Sequence, residues 1–183
     1  MTQPNILLSF PEYNQISQTE VFNDKRAMIV LKQLIASGAT FVGAGNNGVV
    51  YQLPDSEELI KITSYPVEIR IVRDVLSKRK DLKYILPRRN FRKVSSEAAS
   101  FTMDRCDPLP SKFYNALRIV NNDLYWFFRG KDNDVVDKIK ELELREFIIN
   151  LYQEGEKLGI RDRLDVAADN IMMKDGKLVL VDI

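Results

Sequence analysis

The sequence predicts an α+β fold in which an antiparallel sheet occupies the first half of the chain and helices dominate the second. Short apolar runs separated by turn residues fill most of residues 41–103, a pattern typical of antiparallel strands. Apolar residues recur at helical spacing over residues 141–158, and Gly159 follows as a helix stop. Asp175-Gly176 lies between two short apolar runs, and this dipeptide predicts a β-hairpin.

Composition narrows the class of protein. The chain has 183 residues, enough for one domain or two small lobes, with 45% hydrophobic and 29% charged residues, as in ordinary soluble globular proteins. Lys+Arg 27 balances Asp+Glu 26, so no basic excess indicates nucleic acid or an anionic membrane as partner. A single cysteine, Cys106, excludes an intramolecular disulfide and suits a reducing compartment. No apolar run approaches the roughly 20 residues of a membrane span. We therefore expect a cytoplasmic protein.

The absence of histidine excludes His-based catalysis and His metal ligands. The N-terminal region predicts a loosely structured arm over residues 1–18, followed by a packing helix from Thr19 to Ser37. Thr19 is the candidate N-cap of that helix, and Gly38 is the candidate stop.

A glycine-rich segment at 43–50 reads Gly-x-Gly-x-x-Gly-x-Val between two β-branched runs. Without Cβ atoms, the backbone N–H groups of such a turn can approach a triphosphate closely. A dinucleotide-binding motif requires a helix directly after its third glycine, whereas Val49-Val50-Tyr51 predicts a strand. A glycine-rich hairpin without a ligand is the alternative.

A lysine and a glutamate follow the glycine-rich segment. Lys61 interrupts the apolar strand predicted at 59–63 and is either a solvated side chain or a phosphate ligand. The next helix is predicted from Pro66, which suits its first position, to about Lys78. Glu68 lies in its first turn, where it either offsets the helix dipole or pairs with Lys61; Asp74 is the other acidic candidate.

The stretch from 163 to 182 carries the strongest chemical signal. It contains Asp165-x4-Asn170, then the predicted hairpin, then Asp182. A hairpin of that length returns Asp182 to the side of Asn170, and carboxylate and amide oxygens are ligands suited to Mg²⁺. Asp165, on the preceding loop, is placed to receive a proton from an attacking hydroxyl.

In this order, the features resemble the protein kinase superfamily, in which an Asp-x4-Asn loop is followed by a metal-binding Asp. The chain is most similar to the compact early serine/threonine kinases of short-tailed lytic phages, which share its Asp-x4-Asn-Ile-Met core. The resemblance implies a kinase-like two-lobe fold: an N-terminal arm and helix at 1–38, an N-lobe at 39–107 with a five-stranded antiparallel sheet, and a reduced, mostly helical C-lobe at 108–183.

The resemblance also implies roles for individual residues. Lys61 would hold the α- and β-phosphates of ATP, and Glu68 would orient Lys61. Asp165 would be the catalytic base, with Asn170 and Asp182 as Mg²⁺ ligands. The residues implied to surround the nucleotide are Gly43, Gly45, Gly48 and Val50 above it, and Met103, Asp104 and Cys106 at the hinge that faces adenine.

The activity implied is ATP-dependent phosphorylation of Ser/Thr hydroxyls on a protein substrate, which is a host protein if a phage encodes the chain. The chain departs from the family pattern: Leu164 replaces an arginine and Ala167 a lysine, which leaves Arg161 or Arg163 as candidate cations. The sequence ends at Asp182-Ile183, as expected of either a naturally minimal kinase or a fragment. The alternatives are a catalytically inactive kinase-like module that binds nucleotide or a partner protein, and a small-molecule phosphotransferase of the aminoglycoside type.

Overall fold

The computed structural model describes residues 10–131 and 134–183, with side chains described from residue 12. The first nine residues of the predicted arm, with its Ile6-Leu7-Leu8 run, lie outside the described residues. The chain divides into two compact units. One contains the described residues up to Lys78 together with Arg88–Arg105, and the other contains Arg79–Pro87 and Cys106–Ile183. The units differ from the expected segments, because the N-terminal helix joins the sheet and residues 79–87 join the helical unit.

The first unit is built on a five-stranded antiparallel sheet with the strand order β1-β2-β3-β5-β4. This confirms the sheet predicted for the N-terminal half. The strands are β1 (Thr40–Gly45), β2 (Gly48–Gln52), β3 (Glu58–Thr63), β4 (Arg89–Lys93) and β5 (Ala99–Asp104). The helices of this unit are α1 (Phe10–Ile16), α2 (Lys25–Ala36) and α3 (Pro66–Asp74), with 3₁₀ turns at Glu20–Asn23 and Leu76–Lys78.

Helix α2 begins later than predicted. Its N-cap is Asp24, whose carboxylate accepts hydrogen bonds from the N–H groups of Arg26 (2.9 Å) and Ala27 (3.0 Å). Thr19 was the wrong choice of cap, because its hydroxyl donates instead to the Ile16 carbonyl at 2.7 Å and a 3₁₀ turn follows it. Gly38, with φ +90°, follows the C-cap and ends the helix as expected.

The sheet presents two chemically different faces, because side chains alternate along each strand. Val49, Tyr51 and Ile62 are buried in one hydrophobic cluster with Ala27 and Leu31 of α2. The residues that alternate with these along β2 and β3 point to the opposite face. On that face Val50, Lys61 and Phe101 are direct cross-strand neighbours. Strand alternation thus places Lys61 on the face opposite to the α2 cluster.

Helix α3 starts at Pro66 as predicted but ends at Asp74, four residues earlier than expected. Val75 leaves the helical region (φ −121°, ψ −68°), and the chain continues in a 3₁₀ turn. By sequence alone, the basic residues at 88–93 indicate a solvated sheet edge, and the structure shows that this is wrong for Arg88. Arg88 is 1% exposed, with its guanidinium 5.5 Å from the Phe101 ring centre, whereas Arg89 is half-exposed and pairs with acidic side chains.

The second unit is mostly helical. Its elements are α4 (Ser111–Phe128), α5 (Val135–Lys138), α6 (Leu142–Leu158), β6 (Ile171–Lys174) and β7 (Lys177–Leu180). Helix α6 has nearly the predicted bounds, and Gly159 closes it in the left-handed conformation at φ 69°. In the part of the chain that the structure describes, none of the helices is both long and apolar enough to cross a membrane.

The predicted hairpin is formed by β6 and β7, with Ile171 opposite Leu180. Asp175 (φ 50°) and Gly176 (φ 74°) both have positive φ, as a type I′ turn requires. Two further segments extend the hairpin on its outer edges. The Leu180 backbone bonds to Tyr84 and Leu86, and Asp107 exchanges two backbone hydrogen bonds with Met173. The hairpin is therefore held on both sides within the second unit.

Candidate active site

The glycine-rich segment forms the β1–β2 hairpin, in which Gly45 pairs with Gly48 across the two-residue turn Asn46-Asn47. A Cβ added at Gly43 or Gly45 would meet nothing within 4 Å. A Cβ at Gly48 would lie 2.7 Å from the Ile62 carbonyl oxygen and 3.3 Å from Cε of Lys61. Gly48 is therefore required by the close approach of β2 to β3, while the backbone at Gly43 and Gly45 has one open side.

Lys61 forms an ion pair with Glu68. The Nζ and Oε1 atoms are 2.8 Å apart, and the side chains are 10% and 1% exposed. Pro66 at the start of α3 sets where the helix begins, so that Glu68 enters from its first turn. Asp74, the other acidic candidate, pairs on the surface with Arg73. The contact predicted between Lys61 and Glu68 is thus present, within the first unit.

This pair is costly to bury. Removing two charges from water costs several kcal/mol per ion, and their attraction offsets that cost only with good geometry. Removing either side chain would take from the other, buried charge its partner at 2.8 Å, which is worse than either the pair or an apolar replacement. The ion pair therefore holds the Lys61 ammonium in one place on the face that it shares with Val50 and Phe101.

In the second unit, Asn170 and Asp165 are in direct contact. The Nδ2 group of Asn170 donates to the Oδ2 atom of Asp165 (2.9 Å) and to its backbone carbonyl (3.1 Å). The 3₁₀ turn Ala168–Asn170 lies between them and makes this approach possible. Asp165 is exposed, and Asn170 is half-buried. The amide thus orients a carboxylate that remains accessible to solvent.

Closure of the hairpin brings Val181, the residue before Asp182, opposite Asn170. The Val181 N–H donates to the Asn170 carbonyl at 2.8 Å, one step beyond the Ile171–Leu180 pair. Asp182 follows directly, and its Oδ1 accepts from the Ile183 N–H at 2.9 Å. The β6–β7 register therefore makes Asn170 the cross-strand neighbour of the residue that precedes Asp182.

The oxygen atoms at this end of the hairpin suit Mg²⁺. Asn170 donates through Nδ2, which leaves its Oδ1 atom as an acceptor. This atom has no hydrogen-bond partner among the described residues. Within those residues no cluster of three or more His, Cys, Asp and Glu side chains is arranged to hold a metal. Mg²⁺ commonly takes one or two protein carboxylates, with water and phosphate oxygens completing the shell. An amide and one carboxylate are compatible with that chemistry.

The two arginines that precede Asp165 bond to other groups. Arg161 donates to the Tyr152 hydroxyl (2.6 Å) and to the Glu156 carboxylate (3.1 Å). Arg163 lies 3.4 Å from the Asp162 carboxylate. These contacts do not support either arginine as the cation that the Asp-x4-Asn loop lacks.

The predicted hinge residues lie at the end of β5. Met103 is buried opposite Leu59, on the same sheet face as Lys61. The Asp104 carboxylate pairs with Arg89, and the intervening Arg105 N–H is already bonded to the Glu57 carbonyl at 3.1 Å. Cys106 is half-buried and is the first residue of the longer segment of the second unit.

Two residues of α6 that position the second unit's hairpin and the loop before Asp165 were not predicted. The carboxylate of Glu154, in α6, accepts from three consecutive N–H groups at residues 83–85, at 2.9 to 3.0 Å, and so holds the segment that borders β7. The neighbouring Gly155 allows Leu164 and Arg161 to approach the helix closely. A glycine inside a predicted helix is a sequence signal of close packing, so Gly155 could have been singled out. No local pattern distinguishes Glu154 from other helix glutamates.

No family model and no curated protein matches the chain. Among solved structures, it is similar to aminoglycoside phosphotransferase APH(4)-Ia, with a TM-score of 0.39, 9% identity, and coverage of 85% of this chain and 69% of that one. It is also similar to the streptomycin-ATP-APH(2")-IIa ternary complex, with a TM-score of 0.38, 13% identity, and coverage of 87% and 70%. At these scores the likeness by itself assigns neither a family nor a function.

Proposed function

We propose that the chain is an ATP-dependent phosphotransferase that transfers a phosphoryl group to a hydroxyl, with the division of labour found in protein kinases. The observation that carries the proposal is the buried Lys61–Glu68 pair. In kinases a strand lysine that pairs with a helix glutamate binds the ATP phosphates. Lys61 follows a glycine-rich hairpin by one short turn, as that role requires.

A structural role explains this pair poorly. A well-packed apolar pair of similar volume is often as stable as a buried ion pair, or more stable. The cross-strand neighbours of Lys61, which are Val50 and Phe101, are both apolar. An ammonium retained in such surroundings is more readily explained by an anionic ligand than by stability. The nucleotide phosphates are the ligand that we assign to it.

Asp165 is assigned as the group that orients the acceptor hydroxyl and receives its proton. General bases must lie within hydrogen-bond reach of their substrate, and Asp165 is exposed and held by Asn170. Asn170 and Asp182 would hold Mg²⁺, which when bound neutralises phosphate charge. The nucleotide is assigned to surroundings formed by the backbone groups of three glycines and by four further residues: Gly43, Gly45, Gly48, Val50, Met103, Asp104 and Cys106.

Two subclasses of phosphotransferase would use the same residues of this chain and differ in the molecule that accepts the phosphoryl group. A protein serine or threonine is the acceptor implied by the kinase resemblance, with host proteins as candidates if a phage encodes the chain. The similar solved structures are named for aminoglycosides, and one is a complex with streptomycin. A transfer assay should therefore offer both protein and aminoglycoside acceptors.

An inactive module that binds nucleotide is the second candidate. It is favoured by one observation: Arg161 and Arg163 bond to other groups and do not replace the lysine that the Asp-x4-Asn loop lacks. Binding of ATP to the wild-type chain without transfer to any acceptor would support this candidate.

The experiment is transfer of ³²P from γ-labelled ATP with Mg²⁺, in wild type, Asp165→Asn, Lys61→Ala and Asp169→Asn. Loss of a general base typically costs about 10²- to 10⁴-fold in rate, so we expect that loss in Asp165→Asn. Asp169→Asn is the matched control, because it makes the same change at an exposed position of the same loop. Equal rates in Asp165→Asn and wild type would remove Asp165 from its assigned role.

A further inference from the structure

The turn of the glycine-rich hairpin is tied to the rest of the first unit through both of its carbonyl groups. The Asn46 carbonyl accepts from the Glu20 N–H at 3.1 Å. The Asn47 carbonyl accepts from the Ser64 N–H (2.8 Å), the Ser64 hydroxyl (3.2 Å) and the Thr63 hydroxyl (3.2 Å). The N-terminal 3₁₀ turn and the end of β3 thus hold the hairpin tip from two sides.

These bonds determine where the turn directs its N–H groups. In a trans peptide the carbonyl of one residue and the N–H of the next point in opposite directions, and the described chain contains no cis peptide. Because the Asn46 carbonyl points to Glu20, the Asn47 N–H points away from it. Among the described residues, no acceptor is found for this N–H group. It is therefore a fixed donor available for a ligand.

We propose that the Glu20 N–H is a positioning group that holds the Asn47 N–H ready to donate to a nucleotide phosphate, and that the Ser64 hydroxyl supports it by holding the adjoining peptide through the Asn47 carbonyl. This inference rests on the proposed function, and it adds the N-terminal 3₁₀ turn to the phosphate site. Oriented backbone N–H groups form anion-binding concavities. A turn that is ordered beforehand also avoids the entropy of ordering it on binding.

The sharpest test is Glu20→Pro compared with Glu20→Ala. Both variants remove the Glu20 carboxylate, which accepts from the Ser64 hydroxyl at 3.5 Å, but only proline also removes the donor N–H, and it asks little of the backbone. Glu20 is the first residue of its 3₁₀ turn, where proline is well tolerated, and Thr19 before it is extended at ψ 151°. Lys25→Pro is the matched control. Lys25 is also the first residue of a helix and follows an extended residue, but its N–H has no acceptor among the described residues.

The measurement is calorimetric titration of each variant with ATP and with adenosine, which lacks phosphates. We expect Glu20→Pro to bind ATP roughly three- to tenfold more weakly, the value of about one hydrogen bond, and to bind adenosine as the wild type does. Lys25→Pro should match the wild type with both ligands. Ser64→Ala, which keeps its own N–H bond to Asn47, should show a smaller loss that is again specific to ATP.

Three results would overturn the inference. Equal losses for ATP and adenosine would make the contacts merely structural. Wild-type ATP affinity in both Glu20→Pro and Ser64→Ala would dismiss the positioning role and leave the proposed function intact. Failure of the wild type to bind ATP would dismiss both together. If Glu20→Pro fails to fold, Ser64→Ala decides by its ratio of ATP to adenosine affinity.

Discussion

The Nζ atom of Lys61 lies 2.8 Å from Oε1 of Glu68, and these two side chains come from a strand and a helix joined by a two-residue connection. Because the connection is so short, the end of β3 largely determines where α3 begins and therefore where Glu68 lies. The pair therefore couples the stability of the sheet to the proposed binding function.

Glu68→Ala should lower the free energy of unfolding by about 3–5 kcal/mol, because it leaves a buried ammonium without this carboxylate. The double variant Lys61→Met/Glu68→Leu should recover most of that loss, since an apolar pair needs no compensation. Urea denaturation measures both. Asp74→Ala, which removes a surface carboxylate of the same helix, is the control and should leave the midpoint nearly unchanged. A double variant no more stable than Glu68→Ala would contradict this account of the pair.

Tyr51 should make the protein sensitive to alkali. Burial, with a smaller effect of Glu12, raises the pKa of its hydroxyl to about 12. A raised tyrosine pKa favours the neutral form in the fold, so the associated stability is present below the unfolded pKa of 10 and is lost between pH 10 and 12. Tyr51→Phe should reduce the part of the alkaline loss that is due to this group.

At neutral pH, Tyr51→Phe should cost little or stabilise by up to about 1 kcal/mol, because its buried hydroxyl has no hydrogen-bond partner in the described part of the chain. Thermal unfolding from pH 7 to 11.5 provides the comparison. Tyr65→Phe, at an exposed position, is the control. A large loss of stability in Tyr51→Phe at pH 7 would show that the hydroxyl has a partner after all.

Asp24 should contribute to stability above acidic pH. Its partial burial raises the pKa of the carboxyl, but hydrogen bonds from Ser95 and from the Ala27 and Arg26 N–H groups outweigh this, and the net pKa lies below the ordinary 3.8. A lowered pKa means that the contribution is present above the unfolded value and is lost as pH falls through the folded one.

Asp24→Ala should therefore cost about 1–2 kcal/mol at pH 7 and show a weaker loss of stability below pH 4. Chemical denaturation at pH 7 and pH 3 checks both effects. Asp24→Ser keeps a capping oxygen without the charge and should be intermediate at pH 7. Identical acid profiles for wild type and Asp24→Ala would refute the assignment.

Gly155→Ala should destabilise the chain, although alanine normally stabilises a helix by about 1 kcal/mol relative to glycine. The added Cβ would lie 2.8 Å from Cδ1 of Leu164 and 3.1 Å from Cα of Arg161. We expect a net loss of about 1–3 kcal/mol from overpacking, measured by urea denaturation. Gln153→Ala, at an exposed position of α6, is the control. Adding Leu164→Val should recover part of the loss, and its failure to do so would place the strain elsewhere.

Local signals account for the elements that were predicted correctly. Asp175-Gly176 has few alternatives to a type I′ turn, and Gly159 has few alternatives to a helix stop. Thr19 and Asp24 are both good caps by residue type, so the start of α2 was ambiguous. Asp24 is the cap that the structure uses, and its carboxylate also bonds to Ser95, which lies between β4 and β5 and is distant in sequence.

The sequence by itself determined the antiparallel strands, the Asp-Gly hairpin and a short set of candidate residues, because each depends on neighbours within a few positions. Only the tertiary structure decided that Lys61 pairs with Glu68, that Arg88 is buried, that Glu154 holds residues 83–85 and that the hairpin tip is tied to Glu20. The Lys61–Glu68 pair was one of two alternatives that the sequence left open, and the other contacts join residues that no local pattern relates. Burial and hydrogen-bond partners become known only when distant segments pack together.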